Sequence, residues 1–288
     1  LSAAMFAPEH PYHWPTIGSA EDIRDASIDL VREFFQRYYH PANASLSLAG
    51  DLETEQAFDL AEAYFGDLPA GPAVDPIRLD ARLSASANLV LEDRVELPRL
   101  YIAWHSPAMF ADDDAELDIV ADVLAHGKTS RLYKTLVYER RIATDVSAFQ
   151  SSREMGGMFQ IICTASAGVA LTELNTAVLT AVNELAMNGP SDLELERGLA
   201  QTEAQFIYRL QTVGGFGGKG DQLNAYNTFA GDPGYFDRDR QRYFDVTARS
   251  AAAATARWLV NTPSVTLSVV PRGRRELALS GAAEVQVS

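Results

Sequence analysis

The sequence predicts an α+β fold, and three observations carry that reading. Residues 100–165 pass from an apolar run (Leu100-Tyr-Ile-Ala-Trp104) through two helical stretches into two alternating segments, 146–153 and 158–165, joined at Met155-Gly156-Gly157. That order is strand, helices, β-hairpin. Further on, apolar residues recur at helical spacing until 265–270 alternates again. Helices and antiparallel strands are therefore mixed without a regular strand–helix–strand period.

Taken in order, residues 1–5 read as the end of a helix. Pro8-Glu-His-Pro-Tyr-His-Trp-Pro15 is expected to be irregular, because its prolines restrict φ and remove backbone donors. Ser19-Ala-Glu-Asp22 pairs a capping hydroxyl with an acid three residues on, and the helix it opens should run to about Tyr39, ahead of His40-Pro41. Ser45-Leu-Ser-Leu-Ala49 alternates strictly and reads as a half-buried strand. After Gly50-Asp51, a helix from about Glu53 carries Phe58, Leu60, Ala61 and Phe65 on an apolar face. The Pro/Gly-rich stretch that follows is a linker, which divides the chain into residues 1–70, a linker at 71–88 and a second domain at 89–288.

In the second domain, Asp112-Asp-Asp-Ala-Glu116 starts a helix with its body at 117–124; His126-Gly-Lys-Thr-Ser130 breaks it and 131–138 resumes. Leu171, Leu174, Val178, Leu179, Val182 and Leu185 lie at helical spacing up to Asn188-Gly-Pro190. Ser191-Asp-Leu-Glu194 is a capping box for a helix to about Thr212. Residues 214–220 are glycine-rich and flexible; helices are expected at 221–229, 235–243 and 247–260, and 265–270 closes the sheet as its last strand.

A net charge of −15 argues against neutralising nucleic acid, which needs a basic face. The lone Cys163 rules out an internal disulfide and, inside an apolar strand, reads as a buried structural thiol. No apolar run approaches the ~18 residues of a membrane span. Leu1 opens on what reads as mid-protein sequence without an initiator Met, so an upstream part is expected.

No catalytic constellation is complete. None of the histidines (His10, His13, His40, His105, His126) starts an H-E-x-x-H, and the nearest miss to H-x-x-E-H is Phe6-Ala-Pro-Glu9-His10, with phenylalanine for the first ligand and prolines on both sides. No G-x-S-x-G elbow presents a serine. In the glycine segment Lys219 is followed by Gly220 and not by Ser or Thr, so a phosphate loop is excluded. Catalytic and metal residues are therefore both expected to be none.

A resemblance says more. His10-Pro-Tyr, Ile17-Gly-Ser, Phe34-Phe-x-x-Tyr-Tyr-x-Pro41-x-Asn43, Ala49-Gly-Asp51 and Tyr64-Phe-Gly66 resemble the second half of a catalytic-type domain of the pitrilysin/insulinase family of zinc peptidases. Ser130-Arg-Leu-Tyr133 after an Ala-His-Gly break, Val213-Gly-Gly-Phe-Gly-Gly-Lys-Gly-Asp-Gln222, Thr228-Phe-x-Gly-Asp-Pro233 and Leu267-Ser-Val-Val-Pro271 resemble the adjoining non-metal domain. The similarity is to bacterial members that fuse two such halves. It implies a metallopeptidase-like (LuxS/mitochondrial processing peptidase-like) fold: two-layer units with antiparallel sheets and helices on one face. It also implies that 1–70 is the truncated end of the catalytic-type domain and 89–288 the non-metal domain.

The resemblance places the zinc-binding H-x-x-E-H helix, and with it the cofactor zinc, upstream of Leu1. The implied partners are a peptide or unfolded polypeptide substrate, the zinc-bearing segment and a second half or subunit. The implied setting is periplasmic more than cytoplasmic. The family's Arg and Tyr seven residues apart, which hold substrate, are replaced by Val137 and Thr144 here. Gly127, Ser130, Arg131 and Tyr133 are the residues singled out as lining a substrate chamber. Their structural alternative is preferred: Gly127 ends one helix, Ser130 caps the next, and Arg131 and Tyr133 pack at a contact. Two functions follow: a wall of a closed peptidase chamber, whose sheet edge pairs with extended peptide, or a non-catalytic scaffold of the same fold.

Overall fold

The computed structural model describes residues 1–79 and 82–286; positions 80–81 of the expected linker lie outside the described residues. The chain opens with α1 (Ser2–Met5), α2 (Ala20–Asp25), α3 (Ile28–Tyr38) and α4 (Thr54–Phe65). Strands β1 (Ala87–Asp93) and β2 (Arg99–Ser106), helix α5 (Asp114–Ala125) and a π-helical stretch at Tyr133–Glu139 follow. Next come β3 (Ala143–Ser151), β4 (Gly157–Ala165), α6 (Leu171–Asn188), α7 (Asp192–Gln211) and α8 (Lys219–Ala225). The chain finishes with α9 (Phe236–Phe244), α10 (Ala248–Leu259), β5 (Ser264–Pro271) and β6 (Ala283–Glu284). They form two compact units. The sheet unit holds Leu1–Pro15, Leu79–Gln201 and the chain from Gln241 on; the helical unit holds Thr16–Arg78 and Thr202–Arg240.

The sheet unit is built on six strands in the order β3-β4-β2-β5-β1-β6. The run from β3 to β5 is antiparallel, as the α+β reading expects, and β1 adds parallel pairs with β5 and β6. Register puts Leu100 opposite Cys163, Ile102 opposite Ile161 and Trp104 opposite Phe159. All six are within 1% of full burial, beneath apolar residues of α5, α6 and α10. Each such large side chain contributes roughly 1.5–3 kcal/mol of transfer free energy. On the other face, Met5 and Phe6 cover Ala103, Met158 and Val265.

Four sequence expectations change in this unit. The strand at 265–270 lies between β2 and β1 and is not the last; β1 and β6 extend the sheet beyond it. Burial of β5 on both faces suits an interior strand. The second helical stretch widens into a π-helix, with Arg140 N–H donating to the Thr135 carbonyl at 3.0 Å. The proline segment contains one 3₁₀ turn, Pro11–His13, which prolines tolerate at a first turn. β1, not singled out in the sequence, sends Val90 into the core.

The helical unit is different. None of α2, α3 or α4 contains a buried residue. Phe34 and Phe35 are 50% exposed, Phe58 71% and Tyr64 76%. The expected apolar face of α4 therefore exists but is uncovered. The helix expected from Ser19 to Tyr39 is broken at Ala26, where Ser27 accepts a second capping bond from Leu30 N–H at 3.1 Å. A serine that caps competes with helix continuation.

The strand expected at 45–49 pairs with nothing among the described residues. One side of it is nonetheless held. Ser45 Oγ donates to Asn224 Oδ1 at 2.5 Å and accepts from Asn227 Nδ2 at 2.9 Å, while Leu46 and Leu48 stay about half exposed. The unit's buried side chains lie at Phe206, Tyr226 and Asp239, where Tyr226 donates to Asp239 Oδ2 at 2.8 Å.

This contrast is measurable in the chain by itself. Leu124→Ala, in the sheet-unit core, should cost about 2–5 kcal/mol in urea unfolding. Phe58→Ala should stay within about 0.5 kcal/mol. A comparable loss for both would show that residues 16–78 bury a core.

Candidate functional site

The residues singled out in the sequence cluster where α5 hands over to the π-helical stretch. Gly127 follows the α5 C-cap with φ +78°, in the left-handed region that favours glycine. Ser130 is fully buried, but its hydroxyl donates back to the Gly127 carbonyl at 2.7 Å. It closes the loop and does not cap the next helix through a side-chain acceptor, which corrects the expected cap. Tyr133 and Val137 pack half-buried against the core.

Arg131 does most to position the loop. Its Nε and Nη2 donate to the two carboxylate oxygens of Glu194, both at 2.8 Å, and Nη2 also donates to the Gly189 carbonyl at 2.9 Å. Glu194 accepts in turn from Ser191 N–H and Oγ, so the expected capping box is present and is braced by an arginine that the sequence did not connect to it. The Arg131 hydrogen bonds, with those from Ser191, hold the Glu194 carboxyl at about 2. Planar two-point pairing of this kind fixes direction as well as charge.

A second polar set runs along α5, and sequence reasoning missed it. Asp113 sits at the N-cap position of the helix with φ 70°; its side chain makes no capping bond but accepts from Trp258 Nε1 at 2.8 Å and pairs with Arg257. Asp114 is 2% exposed and accepts from Phe110 N–H, Gln150 and Arg242. Asp118 accepts from Tyr243 Oη at 2.7 Å, and burial with the nearby Asp114 charge raises its carboxyl to about 7. The readable signal was the i, i+4 spacing of Asp114, Asp118 and Asp122.

No cluster of three or more His, Cys, Asp or Glu side chains able to hold a metal occurs among the described residues. His10 Nδ1 accepts from Tyr12 N–H at 3.0 Å, and His13 Nδ1 donates to the Phe6 carbonyl at 2.7 Å. Burial pushes the Cys163 thiol up to about 12, which suits an inert core thiol. Thr144 lies exposed on β3, and its Oγ1 reaches the Thr164 carbonyl at 3.4 Å. No described helix is long and apolar enough to cross a membrane.

Residues 25–202 match the model of the peptidase M16 inactive domain. The chain belongs to that family. It is 23% identical over 270 residues to zinc protease PqqE of Helicobacter pylori (strain ATCC 700392 / 26695), a match covering 91% of this chain and 59% of the relative. It is 24% identical over 214 residues to the uncharacterized zinc protease YmxG of Bacillus subtilis (strain 168), covering 74% and 51%. The chain thus spans little more than half the length of these relatives. Its fold is that of a peptidase M16 inactive domain from Pseudomonas fluorescens: TM-score 0.81 at 21% identity, over 94% of this chain and 64% of that one. The M16 match and the pitrilysin/insulinase resemblance agree.

Two tests follow from these geometries. Arg131→Ala should lower stability at pH 7 by about 1–3 kcal/mol, with Arg131→Lys between it and wild type. Because Glu194 is depressed from 4.5 to about 2, that difference should persist above pH 4.5 and shrink as pH falls toward 2. Asp118 works in the opposite direction. Raised from 3.8 to about 7, it takes up a proton on folding between those values, so stability falls as pH rises through that window. Asp118→Asn, which keeps an acceptor for Tyr243, should raise Tm at pH 8 and lose that advantage by pH 4; a gain independent of pH would refute the assignment.

Proposed function

We propose that this chain is the non-metal portion of a zinc-dependent endopeptidase and supplies one wall of a closed substrate chamber. The observation that carries the reading is the M16 inactive-domain match at 25–202, alongside zinc-protease relatives that extend well beyond this chain. In this reading the zinc, the water-activating glutamate and peptide hydrolysis belong to residues outside these 288. Residues 1–70 are the end of the catalytic-type domain, joined through 71–88 to the non-metal domain. Gly127, Ser130, Arg131 and Tyr133 shape a loop at the chamber, with Arg131 holding it in place. The setting is bacterial and periplasmic.

The partner segment has a stated place to go. Apolar side chains of α3 and α4 lie uncovered, and residues 45–49 present Leu46 and Leu48 from an extended stretch held on its other side by Asn224 and Asn227. A neighbouring strand would supply the missing backbone partners and cover both leucines. The scaffold alternative has less behind it, because these long matches carry protease names.

The isolated chain should hold no stoichiometric zinc and leave an unfolded casein substrate intact, while the longer natural polypeptide binds zinc and cleaves the casein. Leu48→Asp should leave the isolated chain's stability unchanged and abolish proteolysis by the longer one. Stoichiometric zinc in the isolated chain, or full activity of the Leu48→Asp polypeptide, would sink the proposal.

A further inference from the structure

The sheet unit contains a cavity that none of the above uses. The β2–β5 ladder ends at the pair Trp104–Ser264, and Pro263, next in line opposite His105, has no N–H with which to extend it. A cavity of about 400 Å³ opens at that gap. Phe6, Leu83, Pro107, Met155 and Trp258 give it apolar walls. Among the described residues, its ionisable lining consists of Arg82, Arg257 and His105, with no carboxylate, in a chain of net charge −15. Ser106 also lines it; the residue is 4% exposed, and its Oγ has no hydrogen-bond partner among the described residues.

These features select a ligand class. The volume falls in the range of small-ligand sites, too large for a single water and suited to one bulky side chain with its backbone. Apolar walls favour an aromatic or branched aliphatic group. Two arginines in the lining favour a negative end. Arg257 pairs with Asp113 through Nη1, and a guanidinium carries five donors in all, so a second carboxylate can be met at its 60%-exposed side chain. We infer that this cavity binds the free carboxylate end of a peptide whose last residue is apolar. The carboxylate's being a peptide's rests on the peptidase reading; binding of an apolar carboxylate does not.

The probe is N-acetyl-phenylalanine, titrated against the full chain, with its amide as the control. The readout is the Trp258 indole N–H resonance, assigned by its disappearance in Trp258→Phe. The acid should shift it saturably, and the amide at least about fivefold more weakly, since a charge-assisted pair is lost. Arg257→Gln should weaken the acid to the level of the amide, and Ala108→Phe, which fills the cavity, should remove the shift for both. Equal affinity for acid and amide would overturn the carboxylate assignment, and no saturable shift in wild type would overturn the site. Comparison of acid with amide needs no variant, so misfolding of Ala108→Phe leaves the test standing. Neither zinc nor proteolysis enters the readout, so failure here leaves the proposed function untouched.

Discussion

Apolar surface stabilises a fold only where something covers it, and this chain supplies cover for one set of its apolar residues and not for another. In the sheet unit, Leu100, Ile102, Trp104, Phe159 and Ile161 disappear beneath α5, α6 and α10. In residues 16–78 the helices are amphipathic and well started, yet bury no side chain. The division between a covered core and an uncovered apolar set organises the functional reading proposed above.

Polar groups then hold the finished unit in one arrangement. Arg131 ties the loop after α5 to the start of α7 through Glu194 and Gly189, while Asp113, Asp114 and Asp118 tie α5 to Trp258, Arg242 and Tyr243. Half-buried two-point pairs lose less to solvent screening than surface ion pairs. They also make demands of opposite sign on pH: Glu194 favours neutral conditions over acid, whereas Asp118 favours mild acid over alkali. The same unit carries its chemistry as shape and charge, with no metal cluster among the described residues.

The chain belongs to the M16 inactive-domain family, and no metal-holding cluster occurs among its described residues. At the two positions where the resemblance implies a substrate-holding Arg and Tyr, Val137 packs against the core and Thr144 sits on an exposed strand position.

Much of this was legible in the order of residues. The α+β class, most helices of the sheet unit, the hairpin at β3–β4 and the capping box at Ser191 and Glu194 follow from local periodicity and capping, which depend on near neighbours in the chain. The position of β5 between β2 and β1, the break at Ser27, the unpaired stretch at 45–49 and the grip of Arg131 on Glu194, 63 residues away, did not. Strand neighbours and long-range ion pairs are chosen by which surfaces meet in three dimensions, and one-dimensional spacing carries no record of that choice. The sequence by itself therefore determined which segments are helix or strand and which faces are apolar. Only the tertiary structure decided which of those faces are covered, because burial is a property of the pair that touches and not of either member alone.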